Sequence, residues 1–304
     1  MLRKGLQIAF LLYASGSCAR ICGQSLPTVK AVKVSATITH VGNLFVYDYS
    51  VTNPMNNTDA VSGFSLDLAK ATNSVVLSPS GLVNGDAFLQ DSADAIKSLT
   101  IATPTIPVGV EAPAGWVASP SVTGTLEWIA AIDSGVIAQG QSIQGFQITS
   151  PGLPAIRAFA AKPDFDISSL GLIPPQNEAD WTRYHNDLIS VETQMVTKGL
   201  TVGPTAPPAN FVPLDFLRYI RTLEDQAEKM GWLIDRHKSE KLDKKLQIAE
   251  EALENNRLER ARDAIEDFVE EIEHEKDKHL RSEGYALLKF NAKYLLRKLQ
   301  GIDD

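Results

Sequence analysis

The side chains best suited to chemistry are few and scattered. The five histidines are His40, His185, His237, His274 and His279, and no two stand four apart, as a zinc-binding pair on one helix face would. His274 and His279 lie five apart in a highly charged stretch and read as solvated helix surface. Asp164 and Asp166 flank Phe165, and Asp91 and Asp94 form a second acidic pair. Calcium needs six or more oxygens, and no compact loop gathers them, so these acids read as turn formers. No metal ligand is assigned. A Gly-x-Ser-x-Gly elbow, a phosphate-cradling glycine loop and a dinucleotide fingerprint are all missing from the sequence, so no catalytic residue is assigned and no cofactor is expected.

The aromatic residues carry the binding hypothesis. Trp116 follows Pro113-Ala114-Gly115 at a predicted turn, and Trp181 and Tyr184 stand three apart in a predicted short helix. Exposed rings of this kind stack on the apolar faces of sugars, while placed polar groups meet the hydroxyls. Trp116, Trp181 and Tyr184 are therefore the candidate ligand-binding residues. The competing fate of an indole is the core, as expected for Trp128 between Leu126 and Ile129, and it is the commoner one for Trp116 as well.

Two compositions divide the elements that must position these residues. From Thr28 to about Ala161 the chain is rich in Val, Thr, Ser and Gly and sparse in charge. Val32, Val34, Ala36 and Ile38 alternate with polar residues, Gly42-Asn43 turns the chain, and Phe45, Tyr47, Tyr49 and Val51 alternate again, which predicts a hairpin. Further short strands are predicted at 64–68, 74–77, 98–102, 124–131, 143–149 and 155–161, together favouring an antiparallel β-sandwich. From Pro213 the apolar spacing becomes three and four, and four helices follow with stripes such as Phe216/Ile220/Leu223/Ala227 and Leu258/Ala261/Ile265/Phe268. Gly231 and Asn255-Asn256 act as stops; Asn256 with Glu259, and Ser282, are expected to cap the last two helices. Amphipathic helices with short connections predict a small four-helix bundle. The resulting division is a signal segment over 1–23, a sandwich over 24–165, an extension and proline-rich linker over 166–212, and a helical bundle over 213–304. The stretch Gly203-Pro204-Thr205-Ala206-Pro207-Pro208 is the expected linker, so the two domains are expected to fold independently.

The segment from Leu214 to Leu299 resembles the FIMAH domain, a helical module of secreted bacterial proteins. Gly231-Trp232-Leu233-Ile234, Lys241-Leu242-Asp243-Lys244-Lys245-Leu246, Ala264-Ile265 with Phe268-Val269, and Ala292-Lys293-Tyr294-Leu295-Leu296 carry the likeness. The resemblance implies export and an accessory role, and it brings no catalytic residues with it. More loosely, Tyr47-Asp48-Tyr49-Ser50-Val51-Thr52-Asn53 and Gln139-Gly140-Gln141-Ser142 make the N-terminal part similar to sandwiches of exported environmental-bacterial proteins. The sorting tail some of these carry is not matched by Leu299-Gln300-Gly301-Ile302-Asp303-Asp304. The function expected from these readings is a non-catalytic exported protein, a sandwich for binding or structure with an accessory helical interaction module. Its expected partner is extracellular polysaccharide or another surface protein. The alternative is a secreted carbohydrate-active enzyme, of glycoside hydrolase or lyase type, whose carboxylates come from distant strands and leave no local signature.

Charge and the first residues bear on location. With 29 basic against 37 acidic residues the net charge is −8, which argues against a nucleic-acid partner. Arg3-Lys4, the apolar run from Leu6 to Ala14 and the small residues Ser15-Gly16-Ser17 follow the layout of a cleaved signal segment, and the run is too short to span a bilayer. Cleavage after Ala19 or, preferably, after Gly23 is expected, with lipidation of Cys18 as the competing route although Ser15 stands where an aliphatic residue is wanted. Both cysteines, Cys18 and Cys22, fall in this segment, so a chain cut after Gly23 has no thiol. Mass spectrometry of the exported protein should find Gln24 at its N-terminus; an intact Met1 on protein recovered only from cytosol would refute export.

Overall fold

A computed structural model describes residues 28–68, 81–82, 109–120, 125–131, 135–165 and 177–301. The predicted signal segment, the predicted strands at 74–77 and 98–102, and Asp91, Asp94 and Asp166 lie outside these residues. Strands β1 (Lys33–Val41) and β2 (Leu44–Thr52) form the predicted hairpin, with Val41 opposite Leu44. Gly42 holds φ at +64°, the left-handed backbone that a two-residue hairpin turn requires and that glycine adopts without steric cost. The remaining strands are β3 (Val61–Asp67), β4 (Gly81–Leu82), β5 (Gly109–Glu111), β6 (Trp116–Pro120), β7 (Thr125–Ala130), β8 (Ser142–Ser150), β9 (Leu153–Pro163) and β10 (Thr197–Thr205). They pair as two five-stranded sheets, ordered β1-β2-β8-β5-β4 and β10-β9-β3-β7-β6. Pairing is antiparallel except between β4 and β5.

Alternation along each strand sends large rings into the space between the sheets. From one sheet come Tyr47, Tyr49 and Phe146, and from the other Phe64 and Trp128, all buried. Phe64 and Trp128 stack at 5.2 Å between centroids and 10° between planes, while Phe146 meets Trp128 edge-on at 5.8 Å. Two of the polar atoms on these rings have backbone partners, Tyr47 Oη donating to the Gly152 carbonyl at 2.6 Å and Trp128 Nε1 to that of Glu111 at 2.8 Å, while the buried Tyr49 Oη has none. Such bonds remove most of the cost of carrying a hydroxyl or indole N–H into an apolar core.

The chain between sandwich and bundle departs from expectation. Residues 178–195 form helix α1 (Glu178–Met195), whose start is capped by the Asn177 side chain accepting from the Asp180 N–H at 3.1 Å. Gly203, Pro204 and Thr205 are not linker but the end of β10, paired with Ala155, Pro154 and Leu153 of β9. The reason is positional. β10 is an end strand, and an end strand tolerates a proline because one row of its N–H groups has no ladder partner to lose.

Four helices complete the chain: α2 (Pro213–Lys229), α3 (Arg236–Glu254), α4 (Leu258–Glu275) and α5 (Ser282–Leu299). Pro213 opens α2, and Gly231 at φ +67° follows its C-terminus as predicted. Two cap assignments are corrected. Asn256 takes φ +55° and ends α3 instead of capping α4, and Ser282 is the first residue of α5, its hydroxyl directed to Glu283. Leu258, expected on the apolar stripe, is exposed, whereas Ala261, Ile265, Phe268 and Ile272 are buried.

Helix α5 is buried on nearly every side, from Glu283 through Leu288 and again at Phe290 to Ala292. One side packs on α2 and α4, the other on β1, β9 and β10. The end strands β1 and β10 of the two sheets neighbour each other, so α5 lies across the open side of the sandwich. Glu283 Oε1 accepts from the outward Ala36 N–H of β1 at 3.0 Å, Asn291 Nδ2 donates to the Pro154 carbonyl at 2.9 Å, and Phe290 meets Phe45 edge-on at 5.1 Å. Sandwich and bundle therefore share one apolar core. A consequence is that heat or denaturant should unfold both in one transition. Glu283→Ala, which strands a buried N–H, should cost about 1–3 kcal/mol, and Glu283→Gln, which still offers an oxygen, should cost less. Two well-separated transitions in the unaltered protein, or an Ala variant as stable as the parent, would contradict the shared core.

Candidate functional site

The three candidate residues separate in the fold. Trp116 opens β6 and is 1 % exposed, its Nε1 donating to the Gly135 carbonyl at 2.6 Å and its ring edge-on to Phe146 at 4.9 Å. It is a core residue and presents no face to a ligand. Gly115, at φ +82°, completes the turn one residue earlier than the sequence suggests. The strand phase then sends Trp116 and Ala118 inward. Trp181 is the opposite case, 39 % exposed on α1. Tyr184 and His185 stand against it, each nearly perpendicular, at 5.6 and 5.5 Å between centroids. The helix buries Leu188, Val191 and Met195 and leaves these three rings on its outer part as an edge-to-face cluster.

A second feature was not foreseen. Between the sandwich and the bundle lies a cavity of about 430 Å³. Leu153 and Ala155 of β9 line it on one side, Phe216, Tyr219 and Leu223 of α2 on another, and the buried Asn291 of α5 adjoins it. The Asn291 amide nitrogen is committed to the Pro154 and Leu287 carbonyls at 2.9 and 2.7 Å, which fixes its orientation. Its Oδ1 is buried and has no hydrogen-bond partner. Beneath this wall Arg157 is buried, its Nε and Nη2 both donating to the Pro204 carbonyl at 3.0 and 2.5 Å. Burial pulls the Arg157 guanidinium below its ordinary pKa, and burial raises the phenol of Tyr219 despite the nearby arginine charge. The sequence held one sign of this region: α5 is apolar on almost all faces, the mark of a helix packed all round, yet carries Glu283 and Asn291, which such surroundings oblige to bond.

The bundle also gathers acids. Glu271, His274 and Glu275 bring one ligand atom each to within 4.8 Å of one another, the closest approach to a metal-binding group among the described residues. Lysines already occupy it: Lys238 Nζ lies 2.6 Å from Glu275 Oε1, and Lys241 bonds Glu271. Burial alone would raise the Glu275 carboxyl, but its bonds from Lys238 and His274 outweigh that and lower it to about 2. The arrangement is a neutralised ion-pair network. Glu224 has a different solution. It is 2 % exposed, and the single hydroxyl of Ser239 bonds its Oε1 and also reaches Glu228 Oε2 at 2.7 Å. One hydroxyl proton cannot serve two carboxylates. Burial raises the Glu224 pKa to about 7, opposed by the Ser239 bond and reinforced by the charges of Asp243, Asp225 and Glu228.

Comparison with known proteins agrees with the helical part. Residues 217–297 match the FIMAH domain, a span reaching from the first turns of α2 to the end of α5. The C-terminal bundle is thus similar to the FIMAH domain, a likeness that suggests a non-catalytic accessory module. No curated protein matches the chain. No described helix is long and apolar enough to cross a membrane.

The buried acid of α2 carries a pH dependence. The folded-state pKa of Glu224 lies above its ordinary value of 4.5, at about 7, so the unfolded chain releases this proton first as pH rises. Stability should be highest below pH 4.5 on this account and fall between 4.5 and about 7, by a difference on the order of 3 kcal/mol. Glu275 acts in the reverse sense in a lower window, its contribution being lost as pH falls from 4.5 towards 2. Denaturant titrations across pH 4 to about 8 should show Glu224→Gln losing the decline above 4.5 that the parent shows; parallel curves for the two proteins would exclude a raised pKa at Glu224.

Proposed function

We propose that this is an exported, non-catalytic binding protein, in which the sandwich and its attached FIMAH-like bundle act together at extracellular polysaccharide or the cell surface. The observation that carries this reading is the exposed ring cluster of Trp181, Tyr184 and His185 on α1. An indole left 39 % exposed beside two further rings retains an accessible apolar face, the minimum equipment for stacking against a pyranose. The perpendicular setting of Tyr184 and His185 leaves Trp181 as the stacking surface and makes the other two its lateral supports.

The disposition of carboxylates supports the non-catalytic part of the proposal. Among the described residues the buried ones are Glu224, Glu275 and Glu283, all on bundle helices. Each is spent on a structural bond: to Ser239, to Lys238 and to the Ala36 N–H. A glycosidase needs two acids about 5 to 9.5 Å apart across a cleft, and none of these three faces one. Export rests on the N-terminal pattern of Arg3-Lys4 followed by an apolar run.

The proposal is tested by retention of the exported protein on insoluble polysaccharides. Trp181→Ala should lower retention by a factor of roughly 2 to 12, since stacking contributes on the order of 0.5–1.5 kcal/mol, and should leave the thermal melt nearly unchanged. Trp116→Ala serves as the contrast: it empties a core site and should cost about 3–5 kcal/mol of stability. Unaltered retention in the Trp181 variant, or turnover of a glycan by the parent, would overturn the reading.

A further inference from the structure

We propose that the cavity between the sandwich and the bundle is a second binding site, for a small organic amine, a compact apolar body carrying one ammonium group. Its volume of about 430 Å³ lies in the range of small-molecule sites, roughly 300–1,000 Å³, and far exceeds what one water fills. The lining divides into an apolar wall and a polar mouth. Leu153 and Ala155 of β9 and Phe216 and Leu223 of α2 are buried residues of the wall, and they favour a body of low polarity. Asn210, Asp215 and Gln226 are exposed lining residues, so an occupant meets them directly from solvent.

Charge chooses the head group. Among the described lining residues Asp215 is the one acid, and no Lys, Arg or His is present. Arg218, three residues further along α2, is held by Glu250 and Glu254 at 2.7 and 2.8 Å. Asp215 is thereby left without a hydrogen-bond or ion-pair partner among the described residues. The order Asp215, Tyr219, Leu223 runs along α2 in steps of four, which sets these side chains one above the other on one helix face. An ammonium at Asp215 therefore lies beside the Tyr219 ring, whose negative face adds to the attraction of the carboxylate, while the body of the molecule extends towards Leu223. The buried Arg157 is not a lining residue, and its Nε and Nη2 both donate to the Pro204 carbonyl. A cation set at depth would face its charge; one set at the exposed Asp215 is screened from it by solvent. An anion would be repelled by Asp215, and a neutral molecule of the same shape would fill the wall but forgo the ion pair.

An acid in the first turn of a helix also suits the helix dipole, so binding and not stability is the deciding measurement. Calorimetric titration and saturation-transfer NMR of the full chain would compare benzylamine and phenethylamine with benzyl alcohol and phenethyl alcohol, their uncharged counterparts, and with phenylacetate and methylammonium. The two amines should bind saturably in the micromolar to millimolar range, about two- to fivefold more tightly than the alcohols, as one exposed ion pair contributes. That margin should shrink as salt is raised. Phenylacetate, of the wrong charge, and methylammonium, which lacks the body, should bind more weakly than either amine. Asp215→Asn should erase the margin of amine over alcohol and leave alcohol binding unchanged. Ala206→Trp and Gln226→Trp fill the cavity from a loop and from an exposed helix position, and each should abolish binding of amines and alcohols with an unchanged melt. The ring cluster on α1 is separate from this site, so Trp181→Ala should leave amine binding intact. The proposal fails if neither amine binds saturably, if the alcohols, phenylacetate or methylammonium bind as tightly as the amines, or if Asp215→Asn or both filling variants bind the amines as the parent does.

Discussion

The architecture depends on how the open side of the sandwich is closed. A two-sheet sandwich exposes a row of unpaired backbone groups at each end strand and an entrance to its core between them, and both are liabilities unless something covers them. Helix α5 is that cover. It places the Glu283 carboxylate on an outward N–H of β1, the Asn291 amide on a carbonyl of β9, and Phe290 against Phe45. The apolar residues of α5 are thereby divided between two partners. This explains why the helix is buried almost throughout while α3, which packs on α2 and α4 only, buries just Ser239, Leu242, Leu246, Ala249 and Ala252.

Once α5 is fixed in this way the other features follow from it. The bundle has to approach the sandwich with one face only, because α5 is shared. The chain entering the bundle has to run alongside, and it does so as β10, the end strand next to β1. The Ala206 to Val212 segment is then short and hugs the junction, Phe211 packing on Phe216 and Tyr294 at 5.6 and 5.7 Å. The cavity is the space left where β9, this segment and α2 fail to meet completely. Among the residues around it is Asn291, whose nitrogen ties α5 to β9.

Much of this was legible in residue order, and the exceptions have physical causes. Alternation over Val34 to Ile38 and Phe45 to Val51 announced β1 and β2, and the three-four spacing after Pro213 announced the bundle, because burial on one face leaves a period. The Gly203-Pro204 stretch was misread because glycine and proline are signals of local backbone freedom and donor loss. They carry no information on whether the strand they join has a neighbour on both sides. Trp116 was ambiguous for a related reason: its exposure turns on strand phase, and a shift of one residue moves a side chain from one face of a sheet to the other. The docking of α5 was the least legible. Its sign, polar residues set in a helix apolar on nearly all faces, shows that partners are needed without saying which strand provides them.

Buried acids distinguish a scaffold from a catalytic centre, and the three here fall on the side of the scaffold. A catalytic carboxylate pays for its burial by facing a cleft where substrate completes its bonding. Glu275 is held ionised by Lys238, Glu224 accepts from Ser239 while burial raises its pKa, and Glu283 accepts from a backbone N–H. All three bonds join one secondary-structure element to another: α4 to α3, α2 to α3, and α5 to β1. Breaking any of them to admit a substrate would loosen the contact it makes, so these groups are poorly placed to act on one. The Trp181 ring on α1 is exposed, whereas the unpartnered Asn291 oxygen at the junction is buried. The buried acids therefore belong to the joints that hold α2, α3, α4, α5 and β1 together, and what they do is hold those elements in place.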